Sequence, residues 1–577
     1  MKKDEEISFF EEIIKNIENN LSELIQFWNI YDQQIFFISA ISIYDKLFIN
    51  QMSDKSSNND FTNRIMEYGY PVFIRMFYSP EFSQLPGVAH KALDSEHLKL
   101  YTKILYSCGI LGWMQFFIDN IKAGFFSATK FLNCIHVRFI DKYHWNERLE
   151  SEYTAWYSDF VSSIQKSEYE SINQELPEVL RKLEQHVFVG KDAFMGYSND
   201  WDTEMFFYRH ALLDAQQSVE WDYFPDNCKF GQLYYGDIVD AIVEFSGYSI
   251  KHIYFAHVLL QRKSALLIEN LLQNIIVEED AVKLISENRN ISKRDAESIL
   301  QLLSLTPEGK TYYDNGSAHS APLIKVSQFQ YVRSIRGFLS EPFGFMLYNL
   351  RRQYQSSWDK NANKREEVFR EQLYSVFGTE NFRCIPHPVV IKKAGKTTTD
   401  IDAIIVDKEN GEIGLFQLKW QDPADYSPYA LRSKRSNYQT KTEEWIKATQ
   451  QWIDETSEKE MASMIGIPAK FIDKKKIHLF VLGRKHGNYS NGKLPNKKST
   501  WGQWYQFLHL SKVLRSQSKL TLSKMHIVLD QSNPFKRKVV EAVNVFSYGK
   551  YRIIFGGNAM GVISELLSRF NIVGHTK

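Results

Sequence analysis

The sequence predicts a mainly α-helical region over residues 1–320 with room for two subdomains, a helical connector over 321–360, and an α/β core over 361–577 in which a mixed sheet is flanked by helices. Three observations lead there. Apolar residues recur at three and four spacing through FFEEIIKNIENNLSELIQFW and IKHIYFAHVLLQRKSALLIENLLQNII, the period of an amphipathic helix, and strand-like alternation is scarce in that part of the chain. Period-two alternation then flanks Asn410-Gly411, between two helical segments. Charge also divides along the chain: residues 381–577 carry 32 Lys/Arg against 17 Asp/Glu, and residues 1–380 carry 38 against 52.

At about 100 to 200 residues per domain, a chain of 577 residues predicts two to four domains. Its 44% hydrophobic, 24% charged and 14% aromatic residues are the composition of a folded chain and not of a disordered one. The start, MKKDEEISFFEEII, has acids where a secretory signal needs an apolar stretch, so no export is expected. The most apolar run, CGILGWMQFFIDNIKAGFF, is broken by Asp119, Asn120 and Lys122 short of the roughly 18 apolar residues of a membrane span. It is expected to be a buried helix, with no membrane partner. Cys108, Cys134, Cys228 and Cys384 are scattered without CxxC spacing, which fits neither a zinc site nor a disulfide framework and suits a reducing cytoplasm. A basic C-terminal third attracts a phosphate backbone, and an acidic N-terminal part repels one unless its charges are screened or turned away.

No fixed repeat and no low-complexity segment occurs in the helical region. Residues 278–305, within EEDAVKLISENRNISKRDAESILQLLSLTPEG, predict a helix, a turn at Asn288 to Asn290, and a second helix opened by Ser292 with acids in its first turn. This is the outline of a helix-turn-helix, and the commoner αα-hairpin shares it. The turn formers of TPEGKTYYDNGSAHSAP predict a loop or domain boundary near 306–322. A further helical pair follows in SIRGFLSEPFGFMLYNLRRQYQSSW.

Residues 362–378, ANKREEVFREQLYSVFG, predict an amphipathic helix with Phe369, Leu373, Val376 and Phe377 on one face and Gly378 as its stop. Glu366 lies three, seven and eleven positions before Phe369, Leu373 and Phe377, so it borders the buried stripe, and Glu367 projects from the far side. The strands Ile401–Val406 and Ile413–Leu418 follow, joined at Asn410-Gly411, the preferred pair for a two-residue type I′ turn. With Glu409 facing Glu412, Ile404 faces Gln417 and Asp402 faces Lys419. Alternation then puts Asp400, Asp402, Gln417 and Lys419 on one face, and Ile401, Ala403, Ile405, Phe416 and Leu418 on the other. One face is expected to be core and the other a site.

That grouping suits metal-assisted phosphodiester hydrolysis. Asp402, the Gln417 side-chain oxygen and a backbone carbonyl can give a hard Mg²⁺ its oxygen ligands. Lys419 beside them can orient the attacking water and stabilise the charge that builds on phosphorus. An isolated Asp402–Lys419 pair would instead read as a cross-strand salt bridge. The next segment, SPYALRSKRSNYQTKTEEWIKATQQWIDE, predicts a helix with Trp445, Ile446, Thr449, Trp452 and Ile453 as its packing stripe. Arg432, Lys434, Arg435 and Lys441 stand near its start, where they suit phosphate binding. KKKIHLFVLGRKHGNYSNGK predicts a buried strand ending in a basic loop at Arg484 and Lys485, with His486 a loop residue and not a base. Residues 500–577 are expected to extend the same domain.

A helix with Glu, a strand with Asp, Gln-x-Lys in the partner strand and then a helix resembles the PD-(D/E)xK nuclease superfamily, the restriction-endonuclease-like fold, in its QxK variant, over roughly residues 360 to 485. The resemblance implies that TDIDAII supplies Asp402 as the motif acid with Asp400 in reserve, and that FQLKWQ supplies Gln417 and Lys419. The helix acid falls on Glu366 or Glu367: the helical wheel favours the first, and the distance to Gly378 in related type IV restriction enzymes favours the second. Thr399 stands where the name-giving motif has Pro, and Gln417 where it has a second acid, which lowers the expected metal affinity. The implied protein is a cytoplasmic Mg²⁺- or Mn²⁺-dependent nuclease, a DNA endonuclease similar in plan to phage-defence effectors. A protein partner or trigger would act through the helical region, and a homo-oligomer is compatible with this plan. Two other readings stay open: a non-catalytic nucleic-acid- or partner-binding module on a degenerate nuclease fold, and a helix-turn-helix regulator.

Overall fold

The structure is a computed structural model that describes residues 2–53, 60–89, 91–140, 145–189, 195–197, 200–218, 220–262, 266–314, 319–393, 396–422, 428–485, 487, 498–532 and 543–556. Helices dominate, with several small mixed sheets among them. The chain divides into two compact units. One comprises Ile17–Trp113 and Tyr157–Arg365, and the other Met1–Asn16, Met114–Trp156 and Glu366–Lys577. Among the described residues no helix is long and apolar enough to cross a membrane.

The first unit is built on α1 (Ile30–Ser53), α2 (Trp145–His186, from residue 157 onward), α3 (Trp201–Gln216), α4 (Tyr235–Arg262), α5 (Glu278–Arg289) and α6 (Lys293–Leu303). In α4, Ile238, Val239, Ala241, Ile242, Val243 and Phe245 are all buried, so it is covered on every side, as a central helix must be. Gly247 lets α3 come close: a Cβ there would stand 3.1 Å from the Phe207 carbonyl oxygen. The α5–α6 pair forms as its sequence suggests. Asn290 adopts the left-handed conformation at φ 51° to end α5, and the Ser292 hydroxyl accepts from the Asp295 N–H at 3.1 Å to open α6.

The helical pair expected over 334–358 forms as Ile335–Leu339 and Pro342–Gln353, and residues 306–333 depart from expectation. The segment expected as a loop or boundary is a 3₁₀ turn, Pro307–Tyr313, with Tyr312 and Tyr313 buried. The Tyr313 hydroxyl accepts from the Ala321 N–H at 3.0 Å, which ties the turn formers inward. Nor is 321–360 helical throughout. Leu323–Lys325 and Gln330–Arg333 pair with Ser304–Leu305 and Ile275–Val277 in a four-stranded sheet of this unit, whose limit falls at Arg365. Strands of two to four residues are too short to show a period.

The second unit takes up α7 (Gln355–Val376, from Glu366 onward) and then β1 (Phe382–Ile385), β2 (Val389–Lys393), β3 (Lys396–Ile401), β4 (Ala403–Asp407), β5 (Glu412–Lys419), α8 (Pro428–Glu455), β6 (Ile477–Gly483), β7 (Ser499–Gln503), α9 (Trp504–Ser516) and α10 (Leu522–Gln531). Five strands form one sheet in the order β1-β4-β5-β6-β7. β4 runs antiparallel to β1 and β5, and β5, β6 and β7 are parallel. The parallel step needs a crossover, which α8 supplies. Parallel strands require cover on both faces. On one face Ile404, Val406, Ile413, Leu415, Leu479 and Val481 meet Trp445, Ile446, Trp452 and Ile453 of α8. On the other, Phe416 and Phe480 stack with centroids 4.5 Å apart and present their edges to Phe507 of α9. Each such buried ring is worth about 1.5 to 3 kcal/mol.

The β4–β5 hairpin has a different register from the one its Asn-Gly pair suggests. Asp407 pairs with Glu412 and Ala403 with Phe416, which puts Asp402 opposite Gln417 and not opposite Lys419. Asp407 causes the change. Its carboxylate accepts from the Glu409 and Asn410 N–H groups at 3.0 Å and from Asn410 Nδ2 at 2.8 Å. Gly411, at φ 64°, returns its N–H to the Asp407 carbonyl at 2.9 Å. The result is a longer loop from 408 to 411. A shift of two positions preserves parity, so Asp402, Gln417 and Lys419 still share a face. That face is mostly core beneath α8, and only its end is polar.

A second sheet of four strands stands apart in this unit: Phe126–Phe131, Cys134–Phe139, Tyr551–Gly556 and Val543–Tyr548. The hairpin Val543–Gly556 lies in the same unit as the five-stranded sheet, as expected, and there pairs in parallel with residues 134–137.

Candidate active site

The site begins at a break in a strand. β3 is paired with β2, β4 with β1 and β5, and Asp402 is the residue between them. Its backbone stays in the larger sheet, since its N–H reaches the Phe416 carbonyl at 3.1 Å. Its side chain is only 8% exposed. Oδ2 accepts from the Leu418 N–H at 2.6 Å and from Gln417 Nε2. Gln417, 4% exposed, lies at the end of β5 above the core face. Burial pushes the Asp402 carboxyl up to about 7; Lys419 and the Leu418 N–H pull it down, and Asp400 and Glu366 add to the rise. Desolvation thus outweighs the lysine, and two further acids work in the same direction.

That balance places the expected residues. Asp400, on exposed β3, and Glu366, on the exposed side of α7, bring their charges to bear on Asp402. Glu367 is also exposed on α7, and of the two helix acids it is Glu366 whose charge acts on Asp402. Lys419 ends β5, half-buried, with its carbonyl accepting from the Arg484 N–H at 2.8 Å. Asp400, Asp402, Gln417, Lys419 and Glu366 therefore gather at one end of the sheet.

Supporting residues carry no motif. Arg370, one turn beyond Glu366, donates to the Asp402 carbonyl at 3.4 Å. The Tyr374 hydroxyl donates to the Ile385 carbonyl at 2.5 Å and accepts from the Ile404 N–H at 3.4 Å. Trp445 Nε1 donates to the Asp400 carbonyl at 2.6 Å, so the packing stripe of α8 also anchors β3. The spacing of four between Glu366 and Arg370 was available in the sequence as a same-face signal. Nothing comparable marks Tyr374.

The basic residues divide. Arg484 does not lie on an open basic loop: it is 4% exposed, within 4.8 Å of the Trp420 ring centroid and 5.2 Å of that of Tyr505, and Nη1 donates to Gln372 at 2.6 Å. It joins the helix that carries Glu366 to the strand end that carries Lys419. Lys485 is buried too, its N–H donating to Gln421 Oε1 at 2.9 Å and its carbonyl accepting from Gln503 Nε2 at 2.6 Å. Both depart from expectation because the rings of Phe369, Trp420 and Tyr505 surround Arg484 and the amides of Gln421 and Gln503 hold the Lys485 backbone. Lys441 is exposed on α8. Arg432, Lys434 and Arg435 fall in the first turns of α8, and their side chains, like His486, lie outside the described residues.

Among the described residues no group of three or more His, Cys, Asp or Glu side chains is gathered closely enough to hold a metal. The donors at this site are of another kind: Asp402, Glu366 or Asp400, the Gln417 amide and peptide carbonyls. Magnesium keeps several waters and takes one or two carboxylates, which this set can supply. The raised Asp402 carboxyl beside two more acids is the electrostatic condition that a cation relieves. Gln417 turns its amide nitrogen to Asp402, so its oxygen joins such a set only after the amide rotates. Compared with family models, with curated proteins and with solved structures, the chain gives no match.

Proposed function

We propose that the C-terminal unit is a metal-dependent phosphodiesterase of the PD-(D/E)xK kind, a DNA endonuclease, with Asp402, Glu366 and Gln417 as the candidate holders of Mg²⁺ or Mn²⁺ and Asp400 in reserve. The observation that carries this reading is a buried carboxyl, raised to about 7 at a strand break, with two acids and a lysine in electrostatic reach. The order of helix, broken strand, hairpin partner and crossover helix supports it. When bound, the metal supplies a water of lowered pKa and positive charge beside the phosphate. Lys419 orients the attacking water and meets the negative charge on the phosphoryl oxygens as the bond to phosphorus forms. Asp402, braced by Leu418 N–H and Arg370, holds its position through the reaction. Arg484 keeps Lys419 and the Glu366 helix in register, a positioning role. By the same resemblance, the substrate in the cell is invading phage DNA, cut in the cytoplasm.

Purified full-length protein on supercoiled plasmid, single-stranded DNA and RNA, with and without Mg²⁺, tests this directly. Cutting that requires metal and falls at least about 100-fold in Lys419→Ala is expected. A second reading has its own observation. The Asp402–Gln417 hydrogen bond pairs the two side chains with each other, an arrangement that suits a non-catalytic binding module. Binding of DNA without cutting under every metal condition would favour that module.

A further inference from the structure

The first unit contains a cavity of about 660 Å³ between α1, α2, α3 and α4, far larger than a packing defect and within the usual range of small-molecule sites. Ile49, Leu180, Ile250, Ile253, Val258 and Leu339 give it an apolar wall. Its polar lining includes His210, Asp214, Tyr254, His257 and Gln261. Two further charges at its edge are already answered: Arg181 pairs with Glu178 at 2.5 Å, and Glu184 with Arg262 at 3.8 Å.

Asp214 is different. Oδ1 accepts from the Tyr169 hydroxyl at 2.8 Å, and Oδ2 lies 3.6 Å from His210 Nε2, its one ion-pair partner among the described residues. His210 Nδ1 is buried with no hydrogen-bond partner. The phenol carries no charge, and at 3.6 Å the imidazole stands beyond hydrogen-bond reach of Oδ2, so the carboxylate keeps room for a closer cation. The side chain keeps 40% of its surface open, yet the surrounding walls are close enough that burial raises its pKa, with His210 and Tyr169 pulling the other way. The same carboxylate, after burial, raises the pKa of Tyr254 on the facing helix.

We propose that this cavity is a binding site for a small amphipathic amine, an aromatic or aliphatic body seated on the apolar wall with one protonated nitrogen paired to Asp214. Charge complementarity selects that class. An anion would meet the carboxylate, and a neutral body would remove water from around it without supplying a charge in return. The site is independent of the nuclease reading and rests on residues of one unit.

Three ligands sharing an indole ring and a short side chain test it on the full-length protein: tryptamine, tryptophol and indole-3-acetate, compared by calorimetry and ligand-observed NMR. Saturable binding of tryptamine is expected, about tenfold tighter than tryptophol, the worth of one charge-assisted hydrogen bond, with indole-3-acetate weakest. Asp214→Asn should abolish the preference for amine over alcohol. Leu180→Trp, which fills the apolar side, should weaken both by about tenfold or more. Equal affinity for amine and alcohol in the wild type, absence of saturable binding, or an unchanged preference in Asp214→Asn would overturn the proposal. Should Asp214→Asn fail to fold, the wild-type preference and Leu180→Trp decide the matter.

Discussion

At Asp402 the features that suit chemistry work against stability, and the sign can be followed through pH. The carboxyl titrates near its ordinary 3.8 in an unfolded chain and at about 7 in the folded one. Between those values the folded state keeps a proton that the unfolded state has lost. Stability therefore falls as pH rises through that window and stays at the lower level above it, by an amount of at most about 4 kcal/mol. Asp402→Asn mimics the protonated acid. In EDTA at pH 8 it should unfold later than the wild type by roughly 1 to 4 kcal/mol, with the gap closing as pH falls toward 4. Adding Mg²⁺ at pH 8 should raise the wild-type midpoint and leave that of Asp402→Asn unmoved. A variant less stable than the wild type at pH 8 would mean that the carboxylate is held by its neighbours and not penalised by burial. Gln417→Glu replaces an amide donor with a second carboxylate beside the first. It should lose stability in EDTA and recover more than the wild type does on adding Mg²⁺, measured by the same thermal scans. Asp402, Gln417, Lys419 and Glu366 were legible in the sequence because alternation and the helical wheel place them. Tyr374 and Arg484 were not, because a carbonyl partner and an aromatic enclosure leave no pattern along the chain.

For elements, the sequence distinguished existence better than register. The hairpin, the α8 stripe and the α5–α6 turn were all readable from period and caps. The register was not, because two turn signals compete within four residues. Asn410-Gly411 favours a tight primed turn, while Asp407 can cap the N–H groups two and three residues on, and the cap prevails. The two geometries make different predictions. Asn410 is not among the residues with positive φ, so Asn410→Ala should cost only its one side-chain hydrogen bond, about 0.5 to 1 kcal/mol. Asp407→Ala removes three such bonds and should cost about 2 kcal/mol or more by denaturant unfolding. The reverse order would restore the two-residue turn and set Asp402 opposite Lys419. The short strands at 275–277, 304–305, 323–325 and 330–333 were beyond any periodic signal, and the buried tyrosines between them sat in a run of turn formers.

Over the whole molecule, the division of charge is the property most plainly written in the sequence, and it is the one that governs encounter with a polyanion. Residues 381–577 hold 32 Lys/Arg against 17 Asp/Glu. Of the six basic residues singled out in the sequence, burial removes Arg484 and Lys485, which leaves Arg432, Lys434 and Arg435 in the first turns of α8 and the exposed Lys441 as phosphate-facing candidates. These side chains would neutralise phosphate without reading bases, so their energy should be electrostatic and insensitive to sequence. In an Asp402→Asn background, where cutting is blocked, replacing Arg432, Lys434 and Arg435 with Ala should weaken binding of unrelated duplexes to the same extent. The slope of log affinity against log salt should become shallower by about 0.9 for each phosphate that is no longer neutralised. The same three substitutions on the intact Asp402 should still cut at high protein concentration, because all three lie beyond Asp402 and the β4–β5 hairpin along the chain. An unchanged salt slope, with weaker binding of one sequence alone, would move these residues from backbone neutralisation to base recognition, and would place the accessible phosphate-binding surface elsewhere in the unit.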